Sequence, residues 1–563
     1  MKSKLPHLLT AIFFAFTVQA QTSRPDFNRS STYDVQHYVL RISFDSEKKK
    51  VIGDTTVRLK PLKDGFREVV LDSVDISYTS VTLDPGGPAL KYKTGDDKIA
   101  VTLDRDFAAS ESIAIRFQYS ATPKKGVYFI PEERQANNTK VHSAQVWTQG
   151  EPEEARHWFP SFDFPSDKAT TEEFITAEKG ETIIGNGDLL DQKESPDGTV
   201  TAHFKMAVPH STYLVSFVVG EYSKTSDKYN DIPLGYYVYP GKELIVPKAF
   251  GKTRDVLRVY EELTKISYPF SKYDQTIVSG FQEFSGMENI TATTLADNDV
   301  FFANNPFGAS LVEDLVSHEA AHSWFGNLVT CKNWAELWLN EGFATFMEAA
   351  YREKIYGREA YIQKIVADAE IFLTDDAVNP KRNGLFNRNA GNVSALFERP
   401  ATTYNKGGAV LHTLREQIGD QAFWNGVNAY LNSHKFANVE STDLRSTMEA
   451  AANTKLAWFF DQWVYGIGSP KLDVKQAYNP RSKTLTLTVT QTQKADKFTP
   501  PAYRLPMDLE ISTEKGTRSE KLEITKRSAT FNFKTDGPPL RIKFDKKEKI
   551  PLKTVKIQAL TVK

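Results

Sequence analysis

His318 and His322 stand four residues apart with Glu319 next to the first, and Glu341 follows after eighteen intervening residues. No other feature limits the fold as tightly. Side chains four apart are close neighbours on a helix, whereas on a strand they stand ~13 Å apart. The pair therefore demands a helix through residues 318–322, from which both imidazoles reach one ion at bond lengths near ~2.1 Å. A catalytic zinc takes three protein ligands and keeps a fourth position open, so a third ligand has to come from another element. Glu341 meets that need, because eighteen residues suffice to end one helix at Gly326-Asn327, cross a loop and enter a second helix. Glu319 projects beside the same point, where it can take a proton from a water on the metal.

The flanking residues supply both helices. The first is predicted over about 309–325, with Leu311, Leu315, His318 and His322 on adjoining positions. The second starts near Trp334, with Asn333 as N-cap and Glu336 three residues on, close to a capping box. It runs to Tyr356, with Arg352 and Lys354 in its last turns and Gly357 at its C-cap. A lone H-E-x-x-H would equally suit a solvated helix face or a structural histidine pair. Glutamate at one fixed later position, on a second credible helix, is what makes it a metal site.

With 563 residues the chain holds several domains. From Tyr33 to about Lys228 the pattern is β: Tyr38, Leu40, Ile42 and Phe44 alternate with polar residues, and further runs at 51–59, 69–71, 113–117 and 213–219 continue it. One more strand is predicted over 234–238. Helical periodicity then lasts from near Pro247 to about Trp463, with strand-like interruptions at 276–278 and 290–295. Past Gly466 alternation returns at Leu485, Leu487 and Val489, and at Met507, Leu509 and Ile511. These shifts divide the chain into 21–230, 231–466 and 467–563, the last block being the size of a β-sandwich.

Residues 1–20 read as a secretory signal peptide. Lys2 and Lys4 precede the apolar run Leu8 to Val18, and Val18-Gln19-Ala20 suits cleavage before Gln21. Export to a periplasm or the outside is expected. That run is too short to span a bilayer and no later stretch reaches spanning length, so no stable membrane insertion is expected. Lys and Arg number 70 against 71 Asp and Glu, so no basic excess points to nucleic acid. Cys331 is the only cysteine, which rules out an intrachain disulfide; its setting suits a short loop or strand better than a thiol nucleophile.

Together with the eighteen-residue spacing, the segment Trp338-Leu339-Asn340-Glu341-Gly342-Phe343-Ala344 resembles the gluzincins of peptidase family M1, the aminopeptidase N type. The resemblance extends to Gln149-Gly150-Glu151-Pro152 with Ala155-Arg156, to residues 159–163 and 186–189, and to Phe460-Asp461-Gln462-Trp463-Val464. It implies an all-β, saddle-like N-terminal domain, a thermolysin-like α+β catalytic domain holding one Zn2+, and a C-terminal β-sandwich. It also implies the removal of N-terminal residues from peptides. Ser285-Gly286-Met287-Glu288-Asn289 is similar to the family's Gly-x-Met-Glu-Asn motif, in which Glu288 holds the substrate amine and the strand around Gly286 pairs with the substrate backbone. Ser285 departs from the usual glycine. Glu151 matches a residue that completes the amine anchor, and Tyr404, in Thr403-Tyr404-Asn405-Lys406-Gly407, matches a hydroxyl that donates to the oxyanion.

Without the resemblance, Glu288 and Glu151 would read as surface carboxylates and Tyr404 as a packing residue. Two other functions stay open on the residues alone: a metalloendopeptidase, which needs an unanchored groove, and a non-catalytic peptide binder, which should lack a ligand or the base. Many members of the family carry a helical C-terminal domain over the active site. The period-two pattern after Gly466 leaves no room for one within this sequence, so a more open cleft is expected.

Overall fold

The computed structural model describes residues 24–281 and 285–562. The predicted signal segment lies outside the described residues. Alternating burial builds the N-terminal region: Val35, Leu40 and Ile42 on the strand Tyr33–Asp45 face inward with Val51, Val57 and Leu59 on Lys50–Pro61. These strands lie within a seven-stranded sheet ordered 188–194, 199–210, 169–178, 33–45, 50–61, 113–121 and 76–83. Its one parallel pair joins 33–45 to 169–178. A four-stranded sheet, ordered Thr182–Gly185, Phe217–Gly220, Gln145–Thr148 and Val127–Ile130, and smaller sheets of three and two strands complete this mostly β region. The expected strand over 213–219 begins later than predicted. Thr212–Leu214 is a 3-10 turn, from which the Tyr213 hydroxyl donates to the Gly326 carbonyl at 3.4 Å.

A five-stranded sheet follows, ordered Ser223–Tyr229, Ile232–Val238, Tyr273–Val278, Ala292–Ala296 and Gly286–Met287. Its three inner strands run parallel and its two outer pairings are antiparallel. Tyr273–Val278 is buried along its whole length, as a strand covered on both faces must be. Gly286–Met287 forms one edge. Helices pack on this sheet, and Trp338–Tyr356 is buried on every side from Trp338 to Tyr351, the mark of a central helix.

The C-terminal strands form a five-stranded and a three-stranded sheet. Leu485, Leu487 and Val489 from the first, with Leu505, Met507 and Leu509 from the second, join the same apolar cluster as the helices. Among the described residues no helix is long and apolar enough to cross a membrane.

Candidate metal centre and active site

The regular helix carrying His318 spans Gly308–Ala321, shorter than the predicted 309–325. His322 is its C-cap, and its N–H still donates to the His318 carbonyl at 3.3 Å. The chain then tightens: Trp324 N–H donates to the Ala321 carbonyl at 3.0 Å, and His322 Nδ1 pairs with the Phe325 carbonyl at 2.9 Å. The second helix also enters differently. Asn333 caps Ala335 N–H at 3.1 Å over a 3-10 turn, Trp334–Glu336, before the α-helix starts at Trp338. Glu336 closes no capping box, since its carboxylate accepts from Ser441 instead.

The two helices bring the predicted ligands together. His318 Nε2 lies 3.3 Å and His322 Nε2 3.4 Å from the same oxygen, Oε2 of Glu341. Both Nδ1 atoms are engaged elsewhere, His318 with Glu348 Oε1 at 2.7 Å and His322 with the Phe325 carbonyl. Those outer partners engage Nδ1 on both rings and turn Nε2 inward, the atom that would meet a metal. Burial alone would raise Glu341 and lower the histidines. Their mutual attraction wins, holding Glu341 at about 2 and lifting His318 to about 9, with help from Glu348.

Glu151, Glu288 and Glu319 close around this trio, and all three are buried rather than surface carboxylates. Oxygens of Glu151, Glu288 and Glu341 lie within 4.8 Å of one another. Burial pushes Glu319 up to about 7 and raises Glu151 and Glu288 as well, with like charge adding to the effect on Glu151. Glu151 Oε1, Glu288 Oε1 and Glu319 Oε2 are buried without a hydrogen-bond partner. Four carboxylates around two imidazoles, with three oxygens unmatched, make a site built for positive charge. The donor set of two imidazole nitrogens and a carboxylate suits zinc, so the residues present fit the expected metal.

Each flanking group is fixed by its own element. Glu151 sits just beyond the strand Gln145–Thr148, and its N–H donates to Gln149 Oε1 at 3.3 Å. Asn327 Nδ2 donates to the Glu288 carbonyl at 3.0 Å, while Asn186 Nδ2 donates to the Ile290 carbonyl at 2.7 Å. The Glu288 segment is thereby pinned from both the catalytic and the N-terminal region. Asn289 turns away from the cleft to Thr294 Oγ1 at 3.0 Å, and Met287 is buried. Tyr404 lies in a single π-helical turn, Thr402–Lys406, a distortion frequent at functional sites. Its ring stacks on His318 with centroids 5.9 Å apart. That turn approaches closely because Gly342 and Gly407 face each other: a Cβ on Gly407 would stand 2.7 Å from the Gly342 Cα.

A cleft of about 610 Å3 opens onto these groups; Leu311, Leu315, Ile371, Phe397 and Pro400 supply apolar wall, and Glu348, Lys364, Asp368 and Asn405 a polar one. Ser285 lies at its rim, exposed. Sequence reasoning missed Glu348. Its position seven residues after Glu341, two turns along the same helix face, was the available signal. Cys331 is buried in the two-residue strand Thr330–Cys331, and burial pushes its thiol well above the ordinary range, which disfavours the thiolate a nucleophile needs.

Comparison with known proteins agrees with the geometry. Residues 34–214 match the Peptidase M1 N-terminal domain and residues 248–463 the Peptidase family M1 domain. Aminopeptidase 2 of Candida albicans is 26% identical over 87% of this chain and 52% of its own length. Probable aminopeptidase 1 of Saccharolobus solfataricus is 28% identical over 79% of this chain and 55% of its own. Glutamyl aminopeptidase of Bos taurus reaches 31% over 60% of this chain and 36% of its own. The chain thus spans about half the length, or less, of these relatives. Between them the two domain matches cover the residues that build the site, and by them the chain belongs to peptidase family M1.

Proposed function

We propose that the chain is an exported zinc aminopeptidase that removes N-terminal residues from peptides. One observation carries this reading: Glu151 and Glu288, buried and with one unpartnered oxygen each, stand beside the His318, His322 and Glu341 trio. A peptide's free amine, with a pKa near ~8, is largely cationic at neutral pH and matches that unsatisfied negative charge. An endopeptidase would gain nothing from such an anchor. The apolar leader at residues 8–18 supports export.

His318, His322 and Glu341 would hold one zinc, which when bound acidifies a water and polarises a carbonyl. Glu319 accepts the proton from the attacking water and returns it to the leaving amine. Its buried, unpartnered Oε2 supports this role. Tyr404 donates its hydroxyl to the oxygen on which charge develops, and does so most strongly in the transition state. Among the described residues Gly286–Met287 is an edge strand, which suits pairing with substrate backbone.

A matched pair of peptides, one with a free and one with an acetylated N-terminus, tests the anchor. Acetylation should lower kcat/KM by about 100-fold or more, since Glu288 and Glu151 then face a neutral group. Equal turnover of the two would favour an endopeptidase. Glu319→Gln should keep its metal and lose about 100-fold or more in kcat. An inert protein already before substitution would leave only the peptide-binding reading.

A further inference from the structure

Behind His318 a string of charged and polar groups runs along one wall of the cleft and returns to the turn that carries Tyr404. Glu348 divides its carboxylate: Oε1 takes His318 Nδ1 at 2.7 Å, and Oε2 meets Lys364 Nζ at 2.8 Å. Lys364 donates to both oxygens of Asp368 at 2.9 Å. Asp368 Oδ1 in turn accepts from Asn405 Nδ2 at 2.9 Å. Asn405 is the residue after Tyr404, whose ring lies against His318 at an interplanar angle of 18°. The contacts therefore close a ring from His318 outward and back to His318.

This ring joins three separate elements: the Glu341 helix Trp338–Tyr356, the following helix Arg358–Val378, and the π-helical turn Thr402–Lys406. Side chains of Glu348, Lys364 and Asp368 are only 10%, 13% and 4% exposed, so each contact is worth more than it would be in water. Lys364 is the cation that Glu348 and Asp368 share, while neighbouring Asp314 has its own partner in Arg352 at 2.6 Å. An amide at 405 donates to Asp368, which a carboxylate there could not do.

We propose that Lys364, Asp368 and Asn405 are positioning residues for peptide hydrolysis, locking the Tyr404 turn to His318 through Glu348. The inference rests on the reading of Tyr404 as the oxyanion donor. An oxyanion donor works only within a few tenths of an ångström of its mark. A π-helical turn departs from the regular α-helical ladder, so tertiary contacts share in fixing its position. The string adds a polar constraint to the Gly342–Gly407 contact, and it references the hydroxyl to His318, which would hold the metal.

The test is a double-mutant cycle on the purified protein, with two further readouts. Asn405→Ala should lower kcat about tenfold, leave KM within about twofold, and leave zinc affinity by chelator competition unchanged. In a Tyr404→Phe background the same substitution should cost little more, because the group it positions is gone. Asn405→Asp, equal in volume, should be at least as harmful as Ala, since it opposes Asp368; a packing role would leave it near wild type. In the metal-free protein, hydrogen–deuterium exchange should quicken over residues 402–406 in Asn405→Ala and stay unchanged over 308–321. Equal losses in both backgrounds, a near-normal Asn405→Asp, or unchanged exchange would each overturn the relay. Tyr404→Phe with full kcat would remove the reading of Tyr404, and the relay with it. If Tyr404→Phe is slow but Asn405→Ala is not, the relay alone falls.

Discussion

The carboxylate of Glu319 rests directly against Gly286, so that a Cβ at position 286 would stand 2.3 Å from Oε1 and 2.6 Å from Cδ. The proposed base and the proposed substrate-pairing strand are therefore fitted to each other, and only glycine leaves room for both. Gly286→Ala should push the tip of Glu319 aside without disturbing the core, since the flexible end of a side chain can yield where backbone cannot. A displacement near ~1 Å at a reacting group can cost about 100-fold in rate. The expected result is a fall in kcat of that order with zinc content and melting temperature unchanged. Loss of zinc along with activity would mean that Gly286 supports the metal ligands rather than the base.

Glu348 tunes the site from outside. It holds His318 Nδ1 at 2.7 Å while Lys364 balances its charge at 2.8 Å. Glu348→Gln keeps an acceptor for the imidazole but removes the anion that makes Nε2 a stronger donor. Substitutions at such outer partners typically weaken metal binding by about 10- to 100-fold. Chelator competition on the purified variant should show a loss in that range, together with a lower melting temperature for the apo protein, since Lys364 loses one of its two buried carboxylate partners. An unchanged zinc affinity would place Glu348 in packing alone.

The central site was legible because its chemistry is written into spacing. His318, His322 and Glu341 could be joined from the sequence, since helix geometry converts intervals of four and nineteen positions into one facing set. Glu151, Glu288 and Tyr404 carry no such signature. Their place beside the metal depends on a loop after Gln145–Thr148, an edge strand and a π-helical turn, elements whose course is set by distant contacts such as Asn327 to the Glu288 carbonyl. Only resemblance pointed to them. Glu336 shows the opposite failure: its interval from Asn333 fits a capping box, yet Ser441, far along the chain, captures the carboxylate. Local propensity lost there to a tertiary partner.

A last prediction concerns stability rather than catalysis, and follows from Glu173 in the N-terminal region. Its side chain is buried at 1% exposure. Oε2 accepts from Asn186 N–H at 3.1 Å, whereas Oε1 has no partner. Nearby Lys272 is already committed to Asp274 at 2.7 Å and to the Gly185 carbonyl at 2.8 Å. Burial therefore dominates and lifts the Glu173 carboxyl from 4.5 to about 8, against the smaller opposing pull of Asn186 and Lys272. Between these two values the folded chain keeps a proton that the unfolded chain releases. Stability must then fall as pH rises through this window, and level off above about 8. Glu173→Gln removes the titration but retains an amide oxygen for Asn186. The variant should melt close to wild type at pH 5, where little of the penalty has accrued. At pH 8.5 it should melt higher by at least about 3 °C. All other titrating groups are common to both proteins, so the difference between their melting curves isolates this one. A gap that stays constant from pH 5 to 8.5 would show that Glu173 is already ionised in the folded state, held there by Asn186 and Lys272 more strongly than burial opposes it.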